Sequence, residues 1–378
     1  IMERLVGSEM CIRDRPDWET RSVGTDGTRI YGGTNDGVGI LTTSPFDVID
    51  TWEAGEDTDN APIEVIGDVA YIGLNGIGIA RYEISTNSWL PTWTEYSNSP
   101  SGNAILDPGN QDVTGLVADI NPNQLWIGGE DGFQLIDVTT GAEVYDIEKS
   151  SSLYLGNGEP YQMVIYNDVM YYHQGDDSNS VYRIDVANFQ ELSNIDAGIQ
   201  LDDNSGPAWG IGLIDGIIMA SVASNDGFPD YYDGQGGIAQ WDIANDTWGE
   251  NIEPSGQVDR VTAYEATNGD MWVSWGELRL DLYDSSGNFV DSWNDDDGLD
   301  FPIREIIEYD NEVLFATEDG IARYDRTNNA WLSTWEENNG LPGNSGSEFY
   351  ELWTNGVDLV LGGGDGLSLI HISEPTRR

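Results

Sequence analysis

One unit recurs along this chain about every 47 residues, and it leaves few folds open. It comprises a short apolar strand, an Asn/Asp-Gly turn, a second strand, and a polar turn ending on an aromatic residue. The clearest copies are NGIGIARYEISTNSWLPTW (75–93) and DGIARYDRTNNAWLSTW (319–335). Weaker ones are LIDVTTGAEVYDI (135–147), RIDVANFQELSNI (183–195), QWDIANDTWGENI (240–252) and LYDSSGNFVDSW (282–293). The strand preceding the turn repeats eight times, anchored on Tyr31, Tyr71, Trp126, Tyr171, Met219, Trp272, Phe315 and Val360.

These strands are rich in Ile, Val, Tyr and Trp, which pack well on a pleated surface. Asp36-Gly37, Asn75-Gly76, Asp131-Gly132, Asp319-Gly320 and Asp365-Gly366 are expected to supply the positive φ angles of tight hairpins. A further apolar stretch precedes each pair, as in 62–67, 113–119, 161–166, 209–214, 261–266, 303–309 and 349–353. We read it as the innermost of four strands. One such sheet cannot bury both faces alone, so the units must stack around an axis. The expected fold is all-β: a β-propeller of four-stranded antiparallel blades. Eight leading pairs but only seven complete sets of four leave seven or eight blades. The count favours eight, with the last incomplete. Helix-period segments and helix caps are missing, which argues against a helical solenoid.

The chain has 68 acidic and 15 basic residues, a formal net charge of −53, and Lys149 is its only lysine. Such a surface repels nucleic acid and anionic lipid, so neither is an expected partner. No apolar run reaches the 18 residues of a membrane span. Dense carboxylates suit solubility in salty surroundings. A monomer is expected.

Both ends differ from the repeats. VGSEMCIRDR (6–15) and LSLIHISEPTRR (367–378) resemble translated sequencing-adapter sequence. The two ends, 1–15 and 367–378, hold the only cysteine, Cys11, one of two histidines, His371, and five of the basic residues. The expected organisation is a foreign or disordered tail over 1–15, a single propeller domain over 16–366, and a foreign tail over 367–378. The natural protein is then expected to continue in both directions. Without cysteine in 16–366, disulfide and thiol chemistry are absent from the domain.

Three motifs carry a family resemblance. Leu125-Trp126-Ile127-Gly128-Gly129-Glu130-Asp131-Gly132 resembles the LWIGTxxGL core of two-component regulator propeller repeats. Gly320-Ile321-Ala322-Arg323-Tyr324-Asp325 is similar to the GLxRYD that follows it, and Asn339-Gly340-Leu341-Pro342-Gly343-Asn344 to the GLPSN linker between blades. The resemblance is good around 70–95, 124–147 and 313–344 and loose across 160–260. It implies an extracellular or cell-surface sensor or binding propeller, sometimes preceding a membrane span and kinase. No such module is present here. The matching residues set turns and packing, so they speak to fold rather than ligand.

A ligand site is expected on the face carrying the connections from fourth to first strand and from second to third. Several of these are long: 95–112, 148–159, 196–207, 294–301 and 223–236. Tyr96, Tyr154, Trp209, Tyr231 and Tyr232 would offer a stacking surface for a sugar or apolar peptide, with Asp202 and Asp203 as acceptors. Calcium is the cation that clustered acids would suit; the candidate ligands are Asp226, Asp230 and Asp233, and Asp295 with Asp297. Neither group has the full alternating spacing of a calcium loop. Solvated loop residues are the plain alternative for all of them.

Catalysis has little support. His173 is the only histidine within 16–366 and sits in a strand, so His-based triads and multi-histidine metal centres are not expected. A carboxylate glycosidase or lyase needs only two acids about 5–10 Å apart. It would be favoured if two buried acids with raised pKa values met at the channel mouth. The primary expectation is a non-catalytic propeller that binds a carbohydrate, peptide or protein ligand. That enzyme and a structural spacer are the alternatives.

Overall fold

The computed structural model describes residues 20–26, 28–34, 37–43, 46–53, 62–74, 77–93, 113–129, 132–148, 160–174, 180–196, 208–214, 216–222, 237–249, 252, 261–276, 279–286, 288–318, 320–336, 341, 349–354, 358–363 and 366–371. Within them the repeat becomes a series of antiparallel meanders.

Blade 1 is β1 (Thr20–Thr25), β2 (Arg29–Thr34), β3 (Gly37–Thr43) and β4 (Phe46–Glu53). Blade 2 is β5 (Ile63–Ile66), β6 (Val69–Leu74), β7 (Gly78–Glu83) and β8 (Ser88–Trp93). Blade 3 is β9 (Val113–Ala118), β10 (Gln124–Gly129), β11 (Gly132–Asp137) and β12 (Ala142–Glu148). Blade 4 is β13 (Pro160–Tyr166), β14 (Val169–Gln174), β15 (Ser180–Asp185) and β16 (Gln190–Asp196). Blade 5 is β17 (Ala208–Ile214), β18 (Ile217–Val222), β19 (Gly237–Asp242) and β20 (Thr247–Trp248). Blade 6 is β21 (Val261–Glu265), β22 (Met271–Trp275), β23 (Arg279–Tyr283) and β24 (Phe289–Trp293). Blade 7 is β25 (Glu305–Tyr309), β26 (Glu312–Ala316), β27 (Ile321–Asp325) and β28 (Ala330–Trp331). Blade 8 has three strands, β29 (Phe349–Thr354), β30 (Asp358–Gly363) and β31 (Gly366–His371).

The expected propeller is therefore present, with seven complete blades and an eighth of three strands. The first strands lie innermost, because contacts between neighbouring blades run chiefly from first strand to first strand. The ring closes where β1 lies against β29 and β30. The last strand, β31, crosses the expected boundary at 366/367 and pairs with β30 from Asp358↔His371 to Gly363↔Gly366.

The core is divided by junction. Tyr31, Val38 and Ile40 of blade 1 pack on Ala70, Ile72 and Tyr82 of blade 2. Trp126, Phe133 and Leu135 of blade 3 pack on Met170, Tyr172 and Ile184 of blade 4. Five more such clusters fill the other consecutive junctions from blade 2 to blade 8. The eight anchor residues are buried in every blade. Two-sided burial is why the second strands read as continuous apolar runs rather than alternating ones.

Two faces result. On one, first and second strands join through tight turns such as Asn167-Asp168, both with positive φ (49° and 64°), the geometry of a type I′ hairpin. In blades 2 to 5 and 7, third and fourth strands join on this face through four-residue turns whose last residue has positive φ: Asn87, Gly141, Phe189, Asp246 and Asn329. The other face carries the connections between second and third and between fourth and first strands, including all the long ones.

The expected positive-φ glycines at the second-to-third connection hold at Gly37, Gly132 and Gly320, with φ of 144°, 128° and 155°. They begin the third strand rather than forming the turn, and in blade 2 that residue is Gly78 (φ 115°). Gly320 also needs its bare Cα, since a Cβ there would lie 2.3 Å from the Trp335 carbonyl oxygen. Gly76 and Asp365 lie outside the described residues.

Five of the 68 acids serve the third-to-fourth turns. The carboxylates of Asp137, Asp185, Asp242, Asp284 and Asp325 accept backbone N–H groups two to four residues ahead, as at Thr327 (2.8 Å) and Asn328 (3.1 Å) for Asp325. These bonds hold all five carboxyls below the ordinary aspartate value. A depressed folded-state pKa gives stability that is complete at neutral pH and lost as pH falls through the folded value. Asp185→Ala and Asp325→Ala should therefore each lower the melting temperature at pH 7. The gap from the parent should narrow as pH falls below the ordinary aspartate value. A gap that persists in acid would show that the turns act through something other than their charge.

Candidate functional site

Each inner strand begins at the face of the long connections. Cross-strand register picks out one equivalent residue per blade near that end. The pairs are Ser22↔Gly33, Gly115↔Gly128, Gly210↔Ser221, Thr262↔Ser274, Glu305↔Ala316 and Glu351↔Gly362. Pro62, whose carbonyl accepts from Gly73 N at 2.9 Å, holds the place in blade 2. Gln162 holds it in blade 4, where the register shifts between Pro160 and Met163. These eight residues form one tier around the axis.

Two side chains of this tier reach forward to the next blade. Gln162 Oε1 accepts from Ile211 N at 2.8 Å, and Thr262 Oγ1 donates to Ile303 O at 3.2 Å. One tier further in, the Glu64 carboxylate accepts from Ala118 N of blade 3. Each bond joins a polar side chain to a backbone group in or just before the neighbouring inner strand.

Blades 7 and 8 differ. Both carry glutamate at the tier position, on inner strands that pack directly against each other. Burial pushes the Glu305 carboxyl up to about 7. Burial, reinforced by the charge of Glu305, pushes Glu351 up to about 8. The neighbouring Arg304 points to Glu318 at 3.6 Å. Two carboxyls that hold protons near neutrality can donate and accept them there, which ordinary surface acids cannot.

Of the residues expected from sequence to form a site, Tyr96, Tyr154, Asp202, Asp203, Tyr231, Tyr232, Asp226, Asp230 and Asp233 lie outside the described residues. Trp209 is the second residue of β17, an inner strand; its side chain also lies outside them. Asp295 and Asp297 are exposed on a single turn of 3-10 helix, Asp295–Asp297, between blades 6 and 7. There the Asp297 carboxylate accepts from Asn294 N at 3.0 Å, and Asn294 Oδ1 accepts from Asp296 N at 2.9 Å. The acidic run thus closes a capping box. No group of three or more His, Cys, Asp or Glu is placed to hold a metal among the described residues. His173 is buried in β14, as a strand residue would be.

The sequence reading did not single out Glu305 or Glu351. The available signal was an acid near the leading end of an otherwise apolar inner segment, as in IREIIEY and FYELW.

No known family matches the chain, and no curated protein does. Among solved structures, the computationally designed Ika8 protein, crystallised in P63, superposes with a TM-score of 0.65 at 14% identity. The superposition covers 94% of this chain and 97% of that one, and it carries the fold alone.

Proposed function

We propose that this chain is an extracellular or cell-surface binding propeller of the two-component regulator type that its repeats resemble. It takes a carbohydrate, peptide or protein ligand on the face of the long connections. One observation supports this above the others: every long connection leaves from the face near which the inner strands present Gln162, Thr262, Glu305 and Glu351. Compact turns occupy the opposite face. A propeller used only as a spacer has no need of that asymmetry.

The expected result is a rise in melting temperature with one ligand class from a panel of glycans and peptides. Shortening 196–207 and 223–236 together should abolish the rise. A ligand bound equally well by the shortened protein would place the site elsewhere.

A second reading has a specific observation behind it. The Glu305–Glu351 pair has the protonation behaviour that a carboxylate glycosidase or lyase requires of its general acid. Assaying the same glycans for turnover separates the two. Cleavage that disappears in both Glu305→Gln and Glu351→Gln makes the protein an enzyme; binding that survives in both leaves it a binder.

A further inference from the structure

The chain has 68 acidic and 15 basic residues, so pairing every basic group would still leave a formal surplus of 53 negative charges. Among the described residues the arginines are largely spent. Arg29, Arg183, Arg279, Arg304, Arg323 and Arg326 each pair with one carboxylate, those of Asp26, Asp246, Asp281, Glu318, Glu312 and Glu308. Arg81 donates instead to the Pro91 carbonyl oxygen at 2.6 Å. The surplus acids have no basic groups left to meet them.

The repeat sharpens this problem, because reusing one turn sets acids at equivalent points around the ring. The third-to-fourth turns carry Asp137, Asp185, Asp242, Asp284 and Asp325 in five consecutive blades, 3 to 7. On the same face, the first-to-second turns of blades 2, 4 and 7 add Asp68, Asp168 and Asp310, all exposed. Sheets packed face to face stand about 10 Å apart. The five aspartates of the third-to-fourth turns cannot shed their charge near neutrality, since the turn bonds hold their carboxyls below the ordinary value.

Screening is the relief that remains, and its range decides the outcome. The Debye length is about 30 Å at 10 mM salt, about 10 Å at 0.1 M and about 3 Å at 1 M. In dilute buffer each acid therefore feels its counterparts on several blades. At 1 M it feels none beyond direct contact. Unfolding moves like charges apart, so in dilute buffer their repulsion weighs against the compact ring.

We propose that dissolved salt operates this ring: the propeller is held together above an ionic strength of about 0.3 M, and dilution loosens it by unscreening acids that the repeat sets at equivalent points on neighbouring blades. The device needs ionic strength rather than any one cation, because screening belongs to the whole ion atmosphere. It works independently of what the face of the long connections binds.

The test uses the full chain in thermal melts at neutral pH, from about 10 mM to about 3 M salt. The melting temperature should rise by about 15 °C or more between 10 mM and 1 M, equally in sodium, potassium and choline chloride, and then level off. A flat response overturns the proposal. So does a rise that continues past 1 M and is steeper in sulfate than in chloride at equal ionic strength, which marks exclusion of salt from the surface. A rise that millimolar calcium gives and molar sodium chloride does not overturns it as well. A combined variant, Asp168→Asn, Asp291→Asn, Asp310→Asn and Glu336→Gln, removes four exposed acids that pair with none of those arginines. Asparagine suits the positive φ of Asp168 and Asp310, 64° and 56°. The variant should melt several degrees above the parent at 10 mM and within about 1 °C of it at 1 M. Equal melting at 10 mM would overturn the proposal, and the parent's salt series decides the matter even if the variant fails to fold.

Discussion

Asp281→Ala should be among the most damaging single substitutions in the ring, costing about 3–5 kcal/mol, the usual penalty for breaking a buried charge network from one side. Asp281 lies in the third strand of blade 6 and is fully buried. Its carboxylate accepts from Trp275 Nε1 at 2.7 Å, Ser292 Oγ at 2.7 Å, and Arg279 Nε and Nη2 at 2.9 and 3.0 Å. Removing it strands a buried indole N–H and withdraws a partner of the guanidinium in the same step. Asp281→Asn keeps the size and one acceptor, so it should cost less while still removing the charge that Asp281 sets against Arg279. Denaturant melts of the three proteins measure this. Equal midpoints for parent and alanine variant would mean that the network contributes nothing net.

Trp272→Ala should lose about as much, roughly 3–5 kcal/mol, by a different route: a cavity at the junction of blades 6 and 7. Trp272 is 1% exposed and stands among four aromatic rings. Its ring centroid lies 5.6 Å from Trp293, 5.2 Å from Phe315 and 4.9 Å from Tyr324, and Trp331 closes the group against Trp293 at 5.4 Å. Its indole N–H is buried and finds no acceptor among the described residues. Phenylalanine removes that unmet donor and keeps most of the apolar contact, so Trp272→Phe should cost under about 1.5 kcal/mol. Hydrogen exchange should localise the alanine defect to blades 6 and 7. A phenylalanine variant as weak as the alanine one would show that shape matters more here than apolar area.

The second strands were legible in all eight blades because burial on both sides leaves an unbroken apolar run. The inner strand of blade 1, Thr20–Thr25, is not marked in this way: TRSVGT has one large apolar residue, and its pairing depends on its neighbours. The fourth strands of blades 5 and 7 shrink to two residues each, Thr247–Trp248 and Ala330–Trp331, so their tryptophans signalled more strand than forms. The site was harder to read for a different reason. Glu305 and Glu308 lie on the same five-residue strand. One belongs to the inner tier; the other accepts from Thr267 across the junction with blade 6 and pairs with Arg326 of its own blade. Periodicity cannot separate such roles, because register against the neighbouring blade assigns them. Among 68 acids, composition hides the few whose carboxyls burial pushes up, Glu305 and Glu351 among them.

Among the described residues every blade is built from consecutive strands, and none takes a strand from the other end of the chain. In them the ring's final joint brings β1 against β29 and β30 without joining them into one sheet. For the gene, this makes the wedge the natural unit of editing: duplicating or deleting one repeat changes the circumference without cutting any sheet. It also makes the starting point arbitrary. A permuted gene opened at any fourth-to-first connection would encode the same wheel with its rim cut at a different spoke.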